Sequence, residues 1–189
     1  VFGGGMTPTE TNVIDYVNPN TTGNAADFGD LTVARHKSQL GASNSIKGLF
    51  GGGEGPSRTD VIDYITMAST GNAIDFGNLL AVNTGLAGVA SPTRAIWMGG
   101  TTPDTTNVIQ FVEIDTTGNA VDFGDLAAVT QNSSCSSSST RAVLNGGYTG
   151  GAVSTLTYIT MASQGNSVDF GNLSGNRSST GSTSNSVRG

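Results

Sequence analysis

The chain has 189 residues, enough for one ordinary domain, and carries a net charge of −6 with only 12% of its residues charged. That balance excludes nucleic acid and anionic membranes as main partners, since both need a basic face. Cys135 is the only cysteine and His36 the only histidine, so an internal disulfide and a thiolate metal cage are excluded.

Glycine accounts for 28 residues, roughly double the usual share of about 7%. Apolar clusters nonetheless return at regular intervals, which argues against a disordered linker. No stretch reaches the ~20 apolar residues of a membrane-spanning helix. The chain opens inside its own pattern at "VFGGG", with no signal peptide and no initiator Met. That is expected of a fragment, a processed product or one portion of a longer array.

The first element is an apolar strand running into glycines: "VFGGG" (1–5), then "LFGGG" (49–53), "IWMGG" (96–100) and "VLNGG" (143–147). The spacings are 48, 47 and 47 residues, a period that signals a repeat architecture. The second is "NVIDYV" (12–17), returning as "DVIDYI", "NVIQFV" and "STLTYI". It is rich in β-branched and aromatic residues and predicts a strand. The third is "TGNAADFGDL" (22–31), returning as "TGNAIDFGNL", "TGNAVDFGDL" and "QGNSVDFGNL". Here "TTGN" predicts a turn, and "AADFGDL" a short strand with a tight turn beside it. A Ser- and Ala-rich stretch such as "GLAGVASPTR" (85–94) predicts a fourth strand. One basic residue then precedes each glycine segment: Lys47, Arg94, Arg141 and Arg188. The one extra residue of the first repeat falls between 28 and 46, in a loop. No 3.6-residue periodicity marks a helix.

Four short strands per repeat of about 47 residues are the signature of a propeller blade. The expected fold is all-β: a β-propeller of four blades, 1–48, 49–95, 96–142 and 143–189, each of about four antiparallel strands. The last strand, near "SNSVRG", would complete the blade begun by "VFGGG" and close the ring without an edge. A linear repeat array is the alternative. A third option is a ring completed by a second chain or by further repeats.

The double glycine (Gly4–Gly5, Gly52–Gly53), the downstream Tyr (Tyr16, Tyr64) and a later aromatic (Phe28, Phe76) resemble the kelch repeat, with Phe where kelch repeats have Trp. The wording "VFGGG…NVIDYV…TTGNAxDFGDLTVAR" is similar to repeats in structural proteins of marine, T4-like cyanophages. That resemblance covers the whole chain and implies a virion component, without a biochemical activity. "SVDFG" (167–171) also resembles the Asp-box of sialidase-type propellers, a hairpin-turn device.

Asp27, Asp75, Asp122 and Asp169 recur one blade apart, too far to share a cation. They read as carboxylates that accept N–H bonds in their own turns. Lys47, Arg94, Arg141 and Arg188 read as side chains that pack their stems and bond carbonyls of an adjacent blade. The sharper alternative for them is a ring that binds an anion. Cys135 aligns with Gly41, Gly88 and Ser182, a position that wants a small side chain on an innermost strand. His36, in "ARHKSQ", reads as a solvated surface residue. "DFG" lacks the loop, Lys and catalytic segment of a kinase, and "GGG" lacks the helix and Gly-Lys-Ser/Thr of a phosphate cradle.

These features leave three functions. The first is a non-enzymatic structural protein of a virion or extracellular filament, partnered by itself or by other subunits. The second is a binding module for carbohydrate, such as a surface glycan, or for a host surface; sugar binding calls for loop aromatics, and Tyr148 is the only one in the variable loops after the glycines. The third, a glycosidase-type propeller, needs paired carboxylates. Glu10, Glu54 and Glu113 are the only Glu residues and form no pair by spacing. No catalytic residue, cofactor or metal is expected, and the location is virion or extracellular.

Overall fold

The structure is a computed structural model that describes residues 1–37 and 42–185. These residues form seventeen strands and no helix. In chain order they are β1 (Phe2–Gly3), β2 (Val13–Tyr16), β3 (Ala26–Asp30), β4 (Ala42–Ser43), β5 (Lys47–Gly51), β6 (Val61–Thr66), β7 (Ile74–Asn78), β8 (Ala87–Ala90) and β9 (Arg94–Met98). There follow β10 (Thr101–Thr102), β11 (Asp104–Thr105), β12 (Val108–Glu113), β13 (Val121–Asp125), β14 (Ser134–Ser137), β15 (Arg141–Asn145), β16 (Val153–Thr160) and β17 (Val168–Arg177).

The fold is all-β, built on four antiparallel sheets. The first has three strands, β1-β2-β3; the others have four, β4-β5-β6-β7, β8-β9-β12-β13 and β14-β15-β16-β17. β10 and β11 form a small separate hairpin. Each four-stranded sheet takes its first strand from the Ser- and Ala-rich end of a sequence repeat. The first sheet has no such strand. The first strands of successive sheets lie side by side, β4 against β8 and β8 against β14.

The core sits between sheets. One apolar cluster joins the first two sheets through Ile14, Phe28, Leu31, Phe50 and Ile65. A second lies around Trp97, Ile62, Phe76 and Val112, and a third around Ile109, Phe111, Phe123 and Leu144. A sheet of this size cannot bury its own apolar face, so each repeat is stable only against its neighbour.

Two local devices recur. At the paired glycines the backbone takes positive φ in every copy, 72° and 122° at Gly4–Gly5 and 65° and 113° at Gly52–Gly53. A Cβ on Gly4 would overlap the carbonyl oxygen of Arg35, so no other residue fits there. In the third strand, Ile14 faces Gly29 while Asp15 faces Asp27, which leaves Phe28 as the extra residue of a β-bulge. The same shift occurs at Phe76, Phe123 and Phe170. The bulge turns the ring against the preceding strand, where it packs edge-on to Tyr16, Tyr64, Phe111 or Tyr158 with centroids 5.7–6.1 Å apart.

Three expectations change. "TGN" is not the turn: the turn precedes it, at 67–68, 114–115 and 161–162, and "TGN" runs on with no turn of its own. The "DFG" segment is a bulged strand rather than a strand beside a tight turn. His36 is more enclosed than a solvated residue, its side chain 17% exposed, because its backbone pairs with Glu54 in both directions at 2.7 and 2.8 Å.

The repeats stay in step through His36 and resume at Ala42, which faces Leu49 as Val89 faces Ile96. The extra residue of the first repeat therefore lies in 38–41, outside the described residues, as does Gly41. Among the described residues β1 pairs only with β2. The closing strand expected near "SNSVRG" falls mostly in 186–189, outside the described residues. Just before those residues, the Ser182 and Ser184 hydroxyls donate to the carbonyls of Cys135 and Ser137 on β14, each at 2.7 Å.

Candidate functional site

The most elaborate chemistry in the molecule lies at the three joints between successive repeats, and "TGNAxDFGDL" supplies both halves of each. The Gly71 and Ala73 amides donate to the Phe28 and Asp30 carbonyls at 2.7 and 2.8 Å. The Asn72 Oδ1 accepts from the Asp30 amide at 3.1 Å. Gly118, Asn119 and Ala120 grip Phe76 and Asn78 in the same way. Gly165, Asn166 and Ser167 grip Phe123 and Asp125. The "GN" segments of the second, third and fourth repeats thus cover the open edge of the preceding "DFG" strand. That explains the glycine of the motif: a Cβ on Gly29 or Gly77 would overlap the carbonyl oxygen of Gly71 or Gly118.

Under this clasp, each joint has its own polar filling. Arg35, fully buried, donates to the Asp63 carboxylate at 2.8 Å and to the carbonyls of Val61 and Phe50 at 2.9 and 3.0 Å. Asp63, also fully buried, accepts in addition from the Thr32 amide and hydroxyl. Burial pulls the Arg35 guanidinium below its ordinary pKa, and the Asp63 carboxylate opposes that pull. In the next joint Asn83 and Gln110 stand in these places. Gln110 accepts from the Leu80 amide at 2.7 Å, while Asn83 bonds the Gly99 carbonyl and the Thr101 amide. In the third joint Thr130 and Thr157 are too short to meet, and a hollow of about 200 Å³ lined by Thr130, Thr155, Thr157 and Leu144 remains.

The predicted basic residues sit at the other side of the joints. Lys47 lies over the rings of Tyr64 and Phe76, 5.1 and 5.7 Å from their centroids, and donates to the Ile114 carbonyl, directly after β12, at 2.9 Å. Arg94 lies 4.7 Å from the Phe111 ring and donates to the carbonyls of Met161 and Ala162 at 3.1 and 3.0 Å. Arg141 lies 4.6 Å from the Tyr158 ring and is exposed. Arg188 lies outside the described residues.

The four motif carboxylates, Asp27, Asp75, Asp122 and Asp169, are all exposed. Asp75 accepts from the Gly77 amide two residues on, at 3.1 Å. Among the described residues no three His, Cys, Asp or Glu side chains are placed to hold a metal ion. Glu54 pairs with Lys37 at 2.9 Å, Glu113 with Arg94 at 2.8 Å, and Glu10 lies 3.7 Å from the His36 Nδ1. The hydrogen bond from Lys37 is the main reason the Glu54 carboxyl sits below its ordinary pKa. Trp97 is fully buried, whereas Tyr148 is exposed. Cys135 lies on β14 against β8, and burial pushes its thiol up to about 12.

Sequence reasoning missed Arg35 and Asp63. Their signal was present: the positions read Arg, Asn, Thr, Arg and Asp, Asp, Gln, Thr down the four copies, polar throughout yet never uniform. Among the described residues no helix is long and apolar enough to cross a membrane. No protein-family model matches the chain, and no curated protein is significantly similar to it.

Proposed function

We propose that the chain is a non-enzymatic structural repeat protein, a rigid β scaffold of a phage virion or an extracellular filament. In this reading the sheets are kelch-like propeller blades, each joined to the next by the clasp described above. The observation that carries it is the use to which the repeated residues are put. The glycines and asparagines of "TGN", the Phe of "DFG" and the basic residues Lys47 and Arg94 all serve contacts between or within repeats. A site for a small molecule would call instead for convergent side chains not consumed by packing. The spacing of the four Asp residues also favours a structural role over a shared ion.

Electron microscopy of the native assembly tests this. A filament or a particle containing the chain supports it. A soluble single chain that turns over a glycoside, or one that binds glycans on an array through its variable loops, would overturn it.

A further inference from the structure

The repeated motifs are consumed at the joints, but the filling beneath them differs from joint to joint. The register of Arg35 is held by Asn83 and Thr130 in the next two joints, and that of Asp63 by Gln110 and Thr157. In the first two joints these side chains are long enough to bond across. In the third they are not, and the hollow of about 200 Å³ lies in that place, between the third and fourth repeats.

The walls of the hollow match the first joint position by position. Ala127, Thr130, Leu144, Thr155 and Thr157 line it, at the registers of Thr32, Arg35, Phe50, Val61 and Asp63. Leu126, Thr130, Leu144 and Thr157 are buried and form its base, while Ala127, Ala128, Thr149 and Thr155 are exposed and form its mouth.

In the first joint three acceptors receive the Arg35 guanidinium: the carbonyls of Phe50 and Val61 and the Asp63 carboxylate. Their counterparts in the third are the carbonyls of Leu144 and Thr155 and the Thr157 hydroxyl. The Val61 carbonyl accepts from the Gly52 amide, at 3.0 Å, in addition to Arg35. The Thr155 carbonyl accepts from the Gly146 amide, also at 3.0 Å, and Thr130 does not add a second bond. The Thr130 hydroxyl is turned to the Ser133 hydroxyl instead, at 3.1 Å. Thr157 is 8% exposed, and its hydroxyl makes no hydrogen bond among the described residues. A buried hydroxyl without a partner is costly, so a ligand that bonds it gains.

No side chain that lines the hollow is charged. A guanidinium or a carboxylate would enter without a counter-charge, which burial penalises. A primary carboxamide is neutral, donates two N–H bonds and accepts at its oxygen. The second joint shows that this group fits beneath the clasp, since the Asn83 and Gln110 carboxamides fill it. An apolar cavity of about 150 Å³ holds benzene, so the hollow has space for a body of that size.

We propose that the hollow of the third joint binds a small neutral group that carries a primary carboxamide on a short apolar body. The amide nitrogen donates to the carbonyls of Leu144 and Thr155. The amide oxygen accepts from the Thr157 hydroxyl. The apolar body lies against Leu126, Ala128 and Val153.

The test is titration of the 189-residue chain with butyramide, followed by nuclear magnetic resonance of the backbone amides. Shifts at Ala127, Leu144 and Thr157 should saturate at millimolar butyramide. 2-Pentanone keeps the size and the carbonyl but lacks the N–H donors, and butyrate is charged; each should bind about tenfold more weakly or worse. Thr157→Val keeps the shape and removes the hydroxyl, and should weaken butyramide about fivefold. Thr130→Asn with Thr157→Gln copies the filling of the second joint and should abolish the shifts, with the circular dichroism of wild type. N-acetylglutamine methylamide, titrated in parallel, separates the two sources of the group: tighter binding than butyramide points to a Gln side chain of another protein, weaker binding to a free amide. Absence of saturable shifts overturns the proposal, as does 2-pentanone binding as tightly as butyramide or an unchanged affinity in Thr157→Val. Each of these results leaves the scaffold reading standing, since that reading rests on the contacts of the repeated residues.

Discussion

Arg35 and Asp63 form an ion pair between two repeats with both side chains fully buried, 2.8 Å apart. Removing one partner leaves a buried charge without its counterpart, which costs about 3–5 kcal/mol. Arg35→Thr or Asp63→Thr alone should therefore lower the free energy of urea unfolding by an amount in that range. The double variant copies the Thr130 and Thr157 of the third joint and should lose much less than the two singles together. A coupling of about 1–3 kcal/mol is expected. Additive losses would show that the pair does not act as a unit.

The bulge glycines offer a comparison within one motif. Gly77 and Gly171 both take positive φ, 146° and 133°, so alanine at either is strained by about 1–3 kcal/mol. A Cβ at Gly77 also overlaps the Gly118 carbonyl, whereas at Gly171 it meets nothing within 4 Å among the described residues. Gly77→Ala should thus be clearly more destabilising than Gly171→Ala in thermal melts of dilute protein. Equal shifts would mean that the close approach between repeats contributes nothing.

The period, the order of strands and the register of the basic residues could be read from the sequence because all three recur. The partner of each hydrogen bond could not. "TGN" looks like a turn when one repeat is considered alone, since Gly and Asn favour turns. Only the Gly71 amide donating to Phe28 and the Asn72 Oδ1 accepting from Asp30, both of the previous copy, show that it lies along a neighbour's edge. Arg35 and Asp63 escaped notice for the opposite reason. Their positions vary between copies, and variation within a repeat reads as drift. What recurs at the two positions is polarity and not identity: Arg and Asp, then Asn and Gln, then Thr and Thr.

Arg94 and Arg141 share a register and differ in their neighbours. Arg94 bonds Met161, Ala162 and Glu113 as well as covering the Phe111 ring. Arg141 covers Tyr158, and its guanidinium makes no hydrogen bond among the described residues. Hydrogen bonds to a charged group contribute about 1.5–3 kcal/mol, and an exposed cation over a ring about 0.5–1 kcal/mol. Arg94→Met should lower stability by about 2 kcal/mol, and Arg141→Met by under about 1 kcal/mol, in urea titrations at low protein concentration. The reverse order would contradict the role assigned to this register at the joints.

Cys135 provides a probe of whether the strands β8 and β14 stay packed. Burial raises its thiol from the ordinary 9.0 to about 12. The nucleophile is the thiolate, which at about pH 8 is then on the order of one part in ten thousand of the folded protein. An aromatic disulfide reagent should react slowly with the native chain and rapidly in concentrated urea. The sign of the pH effect comes from the same shift. A folded pKa above the unfolded one favours the folded state fully below about pH 9. That advantage then declines as the pH rises toward 12, because only the unfolded chain can ionise. Cys135→Ser, which places in β14 the residue found at Ser182, should remove this part of the alkaline loss while leaving stability at neutral pH within about 1 kcal/mol. Fast labelling of the native protein at neutral pH would show that β14 opens readily from its neighbour.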